Sequence, residues 1–196
     1  KGIKSQVLDR IVLAAQKADK ELLKECLERW KKAAHSISAS PFSLKTEWRL
    51  VAGLGRKGQL EVGFTFHRYG FPYLPGSSVK GIARAMALAE LCEAWEDGPD
   101  LAGWDQLLNQ EDEKKYKKAF ESQCPTAPAE IVRLASDFRT VFGTQECAGW
   151  AIYLDAMPEK APTLEVDIMN PHYSEYYQGM AAPTNWQKPI PVPFLT

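Results

Sequence analysis

The stretch Tyr69-Gly70-Phe71-Pro72-Tyr73-Leu74-Pro75-Gly76-Ser77-Ser78-Val79-Lys80-Gly81-Ile82-Ala83-Arg84 constrains this chain more than any other. Pro72 and Pro75 fix their own φ and hold the preceding residues extended, so a stiff, exposed arm is expected to reach Gly76. Ser77 or Ser78 suits an N-cap. Val79, Ile82, Ala83 and Met86 follow at helical spacing, which predicts a helix from about Ser78 to Glu93. Its unsatisfied N–H groups, with glycine and serine before them and Lys80 just inside, suit an anion, above all a phosphate. Lys80 and Arg84 stand one turn apart on one face. The spacing is not that of a Walker loop, because Lys80 is followed by Gly81 where a serine or threonine is needed, so nucleotide hydrolysis is disfavoured. The competing reading is a capped helix start with both cations solvated.

The 196 residues fit one domain, with or without an insertion. That length allows burial of about two-thirds of the unfolded surface. No apolar run reaches the length of a membrane helix, so no membrane partner is expected. Cys26, Cys92, Cys124 and Cys147 show no C-x-x-C spacing. With no signal peptide ahead of them, they are expected to be reduced thiols in a cytoplasm, forming neither a zinc site nor a disulfide frame.

A net charge of −1 conceals a segregation. Residues 1–40 carry nine Lys or Arg against five Asp or Glu, and residues 41–90 carry seven against three. Residues 91–130 reverse this with four against ten, and residues 131–196 hold four against seven. The basic half contains the glycine-serine turn and suits a phosphate backbone, whereas the acidic half suits protein neighbours with basic surfaces. Solvated faces are the alternative.

In chain order, apolar residues from Val7 to Trp30 recur at three and four, predicting one long amphipathic helix over residues 1–37. At 1.5 Å per residue some 30 residues of it would run about 45 Å, enough for part of its stripe, including Leu22, Leu23, Leu27 and Trp30, to seek a partner instead of lying across a sheet. Alternation then predicts strands over Phe42–Leu50 and Leu60–Phe66. The glycine-rich loop between them places Arg56 and Lys57 at its tip. His67 and Arg68 close the second strand. His67 is a candidate for nucleic-acid contact, by stacking or through a phosphate, and lacks a partner in register that would make it a catalytic base. Residues 95–130 are expected to be an inserted helical surface segment, its Glu111–Lys115 and Glu113–Lys117 pairs solvated. Strands follow over Trp150–Met157 and Pro162–Ile168. Asp155, Glu165, Asp167 and His172 invite a metal or acid–base reading, but no fixed ligand spacing completes a set, so no metal and no cofactor are expected. Tyr173, Tyr176, Tyr177 and Trp186 make an aromatic end suited to stacking bases or packing a partner.

The run Tyr69–Arg84 resembles the signature of the RAMP superfamily of CRISPR-associated proteins. Trp48–Gly55, Glu61–His67, Val141–Thr144 and Leu164–Tyr173 resemble, more narrowly, the sixth RAMP subunit of the type III-B, or Cmr, effectors. The resemblance implies an α+β, ferredoxin-like (RAMP/RRM-like) antiparallel sheet with packed helices, built as a single domain over residues 1–196. It also implies a further glycine-rich loop after additional strands. None occurs before Thr196, so the chain is expected to be C-terminally incomplete.

Functionally, the resemblance implies a non-catalytic, RNA-binding structural subunit of an antiviral ribonucleoprotein that targets invader RNA, placed near the 3′ end of the guide. Its implied partners are guide RNA, target RNA, other RAMP backbone subunits and the small helical subunit. The RNA-contact candidates are Arg56, Lys57, His67, Arg68, Gly76, Ser77, Ser78, Lys80 and Arg84. Two alternatives stand beside it: a RAMP-type endoribonuclease that processes guide RNA, and an assembly scaffold without RNA contact.

Overall fold

A computed structural model of the chain describes residues 2–53, 63–170, 176, 179, 180, 182 and 191–196. It divides into two compact units, residues 1–74 with 156–196, and residues 75–155.

The first unit opens with α1 (Ile3–Gln16) and α2 (Lys20–Ser36), not with one long helix. The apolar period continues across the break, but local hydrogen bonding does not. Lys17 and Ala18 turn their N–H groups back to the Ala14 and Ala15 carbonyls, closing α1 tightly. Asp19 then caps α2 by accepting from the N–H groups of Glu21 at 3.0 Å and Leu22 at 3.1 Å. Leu23 and Leu27 of α2 are buried and Trp30 is half-buried, so most of the stripe expected to seek a partner is already covered within the chain.

Strands β1 (Thr65–Phe66) and β2 (Pro72–Tyr73) form an antiparallel hairpin, with Thr65 opposite Tyr73 and Phe66 opposite Pro72. The arm expected to be exposed is therefore paired, and Phe71 at its start is buried. It borders a crevice shared with Ala15, Ala18, Leu23 and Pro162. Strands β3 (Val166–Met169) and β4 (Val192–Leu195) also pair antiparallel, from Val166 opposite Leu195 to Met169 opposite Val192. Reciprocal bonds of 2.9 Å between Glu165 and Thr196 extend that ladder. Helix α1 packs on it, burying Leu8 against Leu164 and Leu195, with Ile11, Phe64, Phe66 and Val166 around them.

The strand expected over Phe42–Leu50 does not form. The segment is instead held by side chains: the Ser43 hydroxyl donates to the Glu159 carboxylate, and Arg49 pairs with Asp167 at 2.5 Å. Phe42, Leu44 and Trp48 stay largely exposed, so the alternation covers no core among the described residues. Of the strand expected over Leu60–Phe66, residues 60–62 lie outside the described residues. Trp150–Met157 contributes only a single bridge, Leu74 to Ala156, because no continuous ladder flanks it.

The second unit is helical: α3 (Gly76–Ala94), α4 (Leu101–Leu108), α5 (Glu113–Gln123) and α6 (Ala129–Phe142). Residues 95–130 are not a solvated insertion. Trp104, Leu107 and Leu108, at i, i+3 and i+4, join Tyr116, Phe120, Leu88, Leu91, Ile131, Ala135, Phe138 and Phe142 in one core, and Trp104 is 0% exposed. Asp100 starts α4 by accepting from Gly103 N–H at 2.7 Å. The lysines of α5 do face solvent, and the Glu113–Lys117 pair forms at 3.8 Å. The expected Glu111–Lys115 pair does not, because Glu111 precedes the helix and accepts from the Thr144 hydroxyl at 2.5 Å and Glu146 N–H at 3.1 Å. Arg139 fastens the α4–α5 connection, donating to the Leu108 and Gln110 carbonyls at 2.7 and 2.8 Å while lying 4.1 Å from the Tyr116 ring centroid. Among the described residues no helix is long and apolar enough to cross a membrane.

Candidate nucleic-acid interface

Helix α3 begins two residues before the sequence reading placed it. Pro75, with φ −58° and ψ 144°, is the N-cap, and neither Ser77 nor Ser78 caps it with a side chain. Proline suits a helix boundary because its fixed φ is pre-set and its missing N–H costs nothing there. Ser78 and Val79 donate to the Pro75 carbonyl at 2.8 and 3.1 Å. Gly76 N–H donates to Asp155 Oδ1 at 2.7 Å.

The helix end expected to wait for a phosphate thus holds the chain's own carboxylate, favourably placed against the positive end of the dipole. Of the donors of the first turn, Ser77 N–H remains without a partner among the described residues. Gly76 is buried, and a Cβ there would collide with the Tyr153 carbonyl. The glycine is needed for that backbone crossing, whatever else approaches.

The two cations of the helix part company. Arg84 pairs with Asp105 at 2.5 Å, donates to Asn109 Oδ1 at 3.2 Å and sits 5.1 Å from the Phe138 ring centroid, stitching α3 to α4 and α6. It is a packing residue, not a solvated charge. Lys80 is half-buried and has no ion pair among the described residues.

His67 and Arg68 belong to a second cluster, at the tip of the β1–β2 hairpin. Gly70 N–H donates to the His67 carbonyl at 2.9 Å, His67 N–H donates to the Phe71 carbonyl at 2.8 Å, and Gly70 has φ +89°. This is a three-residue loop with a left-handed glycine, the geometry that joins twisted strands without splaying them. The His67 ring stacks on Phe71 at 4.7 Å with the planes 6° apart, tilts against Tyr69 at 4.9 Å and meets Tyr73 edge-on at 6.1 Å. The Tyr69 backbone N–H donates to His67 Nδ1 at 3.3 Å, which makes Nδ1 the acceptor and leaves the proton of the neutral ring on Nε2. The Arg68 guanidinium lies 5.7 Å from the Tyr69 ring centroid. Tyr69 and Tyr73 were not picked out from the sequence; their alternation with His67 and Phe71 across a Gly70 turn was the available signal. Arg56 and Lys57 lie outside the described residues.

Two of the carboxylates that invited a metal reading have another task. Asp155 caps α3. Asp167 accepts from Ile168 N–H and from Arg49, which together hold its carboxyl below the usual range. Glu165 takes part through its backbone in the pairing with Thr196, and His172 lies outside the described residues. Burial pushes the Cys92 and Cys124 thiols up, away from nucleophilic use.

A family model described as the RAMP superfamily matches residues 42–190. Over 98% of its length the chain is 32% identical to the CRISPR system Cmr subunit Cmr6 of Pyrococcus furiosus, and it spans 64% of the length of that relative.

Proposed function

Taking as premise that the chain belongs to the RAMP superfamily, we propose that it is a non-catalytic, RNA-binding structural subunit of a type III-B CRISPR ribonucleoprotein. Such a complex targets invader RNA, and the chain would sit near the 3′ end of the guide. The observation that carries this reading is the likeness to a Cmr subunit across nearly the whole chain. In this reading the partners are guide and target RNA, neighbouring RAMP subunits and the small helical subunit, in a cytoplasmic assembly. The paired strands β1–β2 and β3–β4, with α1 on the latter, support a ferredoxin-like arrangement within it.

Contact with RNA falls to the cations and donors that the fold does not consume. His67, Arg68, Lys80 and the Ser77 N–H qualify, and Arg56 and Lys57 join them on sequence grounds. Arg84 and the Gly76 N–H are committed inside the chain. The absence of catalysis rests on His67, whose Nδ1 is occupied by a backbone donor and whose ring neighbours are aromatic. Acid–base cleavage needs a base within reach of the 2′-hydroxyl and a second group to stabilise the phosphorane.

The test is affinity purification of the tagged chain from its own cells, with mass spectrometry of the co-purifying proteins and sequencing of the RNA. Guide RNA and several RAMP proteins are expected. Recovery of proteins without RNA would favour the scaffold, and discrete cleavage of a labelled guide precursor, lost in His67→Ala, would favour the endoribonuclease.

A further inference from the structure

We propose that the tip of the β1–β2 hairpin is a stacking platform for one base of single-stranded RNA, with Tyr69 as the platform and Arg68 and His67 as its phosphate contacts. The inference rests on the RNA-binding reading above and assigns it a place and a mode.

The tip combines rigidity below with exposure above. Phe71 is only 4% exposed and roots the hairpin beside Ala15, Ala18 and Leu23. On that root the His67 ring stacks flat on Phe71, the Tyr69 ring leans on His67 at 4.9 Å with the planes 55° apart, and the Gly70 turn fixes the backbone that carries Tyr69. Tyr69 is 39% exposed. A ring braced by a neighbouring ring and by a fixed turn loses little freedom when a base settles on it, which is the condition for stacking to contribute affinity.

The polar groups complete the fit. The Arg68 guanidinium at 5.7 Å is a loose, solvent-exposed contact with the Tyr69 ring, so a base can replace it there while the guanidinium turns to the adjoining phosphate. With Nδ1 accepting from Tyr69 N–H, the His67 Nε2–H is the donor left for a phosphate oxygen. Bases in a duplex hide their faces, so a platform of this kind selects an unpaired strand. The basic balance of residues 1–90, sixteen Lys or Arg against eight Asp or Glu, favours such a strand over an apolar protein segment.

The experiment titrates a short single-stranded RNA containing 2-aminopurine with the full chain and with Tyr69→Phe, Tyr69→Leu and Arg68→Gln. Stacking on Tyr69 is expected to quench the probe and to survive Tyr69→Phe. Tyr69→Leu should weaken binding about tenfold and abolish the quench, with no change in salt dependence. Arg68→Gln should flatten the slope of log K against log salt by about 0.7 and leave the quench intact. Both positions are exposed, so melting temperatures should match that of the parent chain. If Tyr69→Leu should nevertheless unfold, the Arg68→Gln slope and the parent quench decide. Unquenched binding by the parent chain, or full affinity in a folded Tyr69→Leu, overturns the platform and leaves RNA binding standing. No binding by the parent chain overturns both.

Discussion

The backbone N–H of Gly76 donates to the Asp155 carboxylate across 2.7 Å, so α3 starts under a cap that the chain supplies 79 residues later. The most phosphate-like feature of the sequence is thereby a joint within the second unit. It binds the start of α3 to the segment that leaves that unit.

Asp155→Ala should destabilise the chain by about 1 kcal/mol, the usual worth of a side-chain cap. Asp155→Asn, which keeps an acceptor oxygen, should recover part of it. Denaturant midpoints of the two variants against the parent check this, and equal midpoints would remove the cap from the account.

The two glycines of α3 should respond in opposite directions. Gly76→Ala drives a Cβ into the Tyr153 backbone, which has no flexible end to yield, and should cost about 1–3 kcal/mol. Gly81→Ala meets nothing within 4 Å. It should stabilise the helix by about 0.5–1 kcal/mol. Thermal melts of both variants separate the two cases.

Lys80 and Arg84 should separate just as clearly. Arg84→Ala removes the Asp105 pair and the packing over Phe138, and should lower stability by about 2 kcal/mol. Lys80→Ala should leave stability unchanged and flatten the salt slope of RNA binding by about 0.7. The double variant should show the sum of these effects, with a slope change no larger than that of Lys80→Ala.

Acid should loosen the second unit through Glu111. The Thr144 hydroxyl, and after it the Glu146 N–H, hold its carboxyl below the ordinary value of 4.5. A carboxylate whose folded pKa is depressed contributes stability above its unfolded pKa and loses it as pH falls through the folded value. Thr144→Val should therefore shrink the loss of stability as pH falls below the ordinary carboxyl value of 4.5, measured by denaturation at a series of pH values. An unchanged acid limb would contradict the link.

Legibility followed the range of the interaction. The start of α3, to within two residues, and the departure from a Walker spacing were readable because they depend on neighbours within a few residues, whereas the hairpin turn at Gly70 was hidden behind the two prolines that suggested an exposed arm. The break at Asp19 was hidden because the apolar period runs on through it, although an Asp followed by free N–H groups is a local signal. Helix α4 was overlooked because a stretch of eight residues opening with Gly103 near its start shows only two turns of periodicity. The fate of Arg84 was beyond sequence reasoning: spacing from Lys80 put both on one face, but its partner Asp105 is brought to it only by the packing of α3 on α4. The alternation at Phe42–Leu50 misled for a related reason, since alternation specifies a strand only where a ladder partner exists.

The most direct test of the account is a fluorescence-anisotropy titration of the purified full chain with single-stranded RNA at a series of salt concentrations, with the RNA analysed for cleavage afterwards. The account predicts binding that weakens as salt rises, with a slope of about −0.7 for each phosphate engaged, and RNA recovered intact. Failure to bind at the lowest salt, or discrete fragments after incubation, would contradict it.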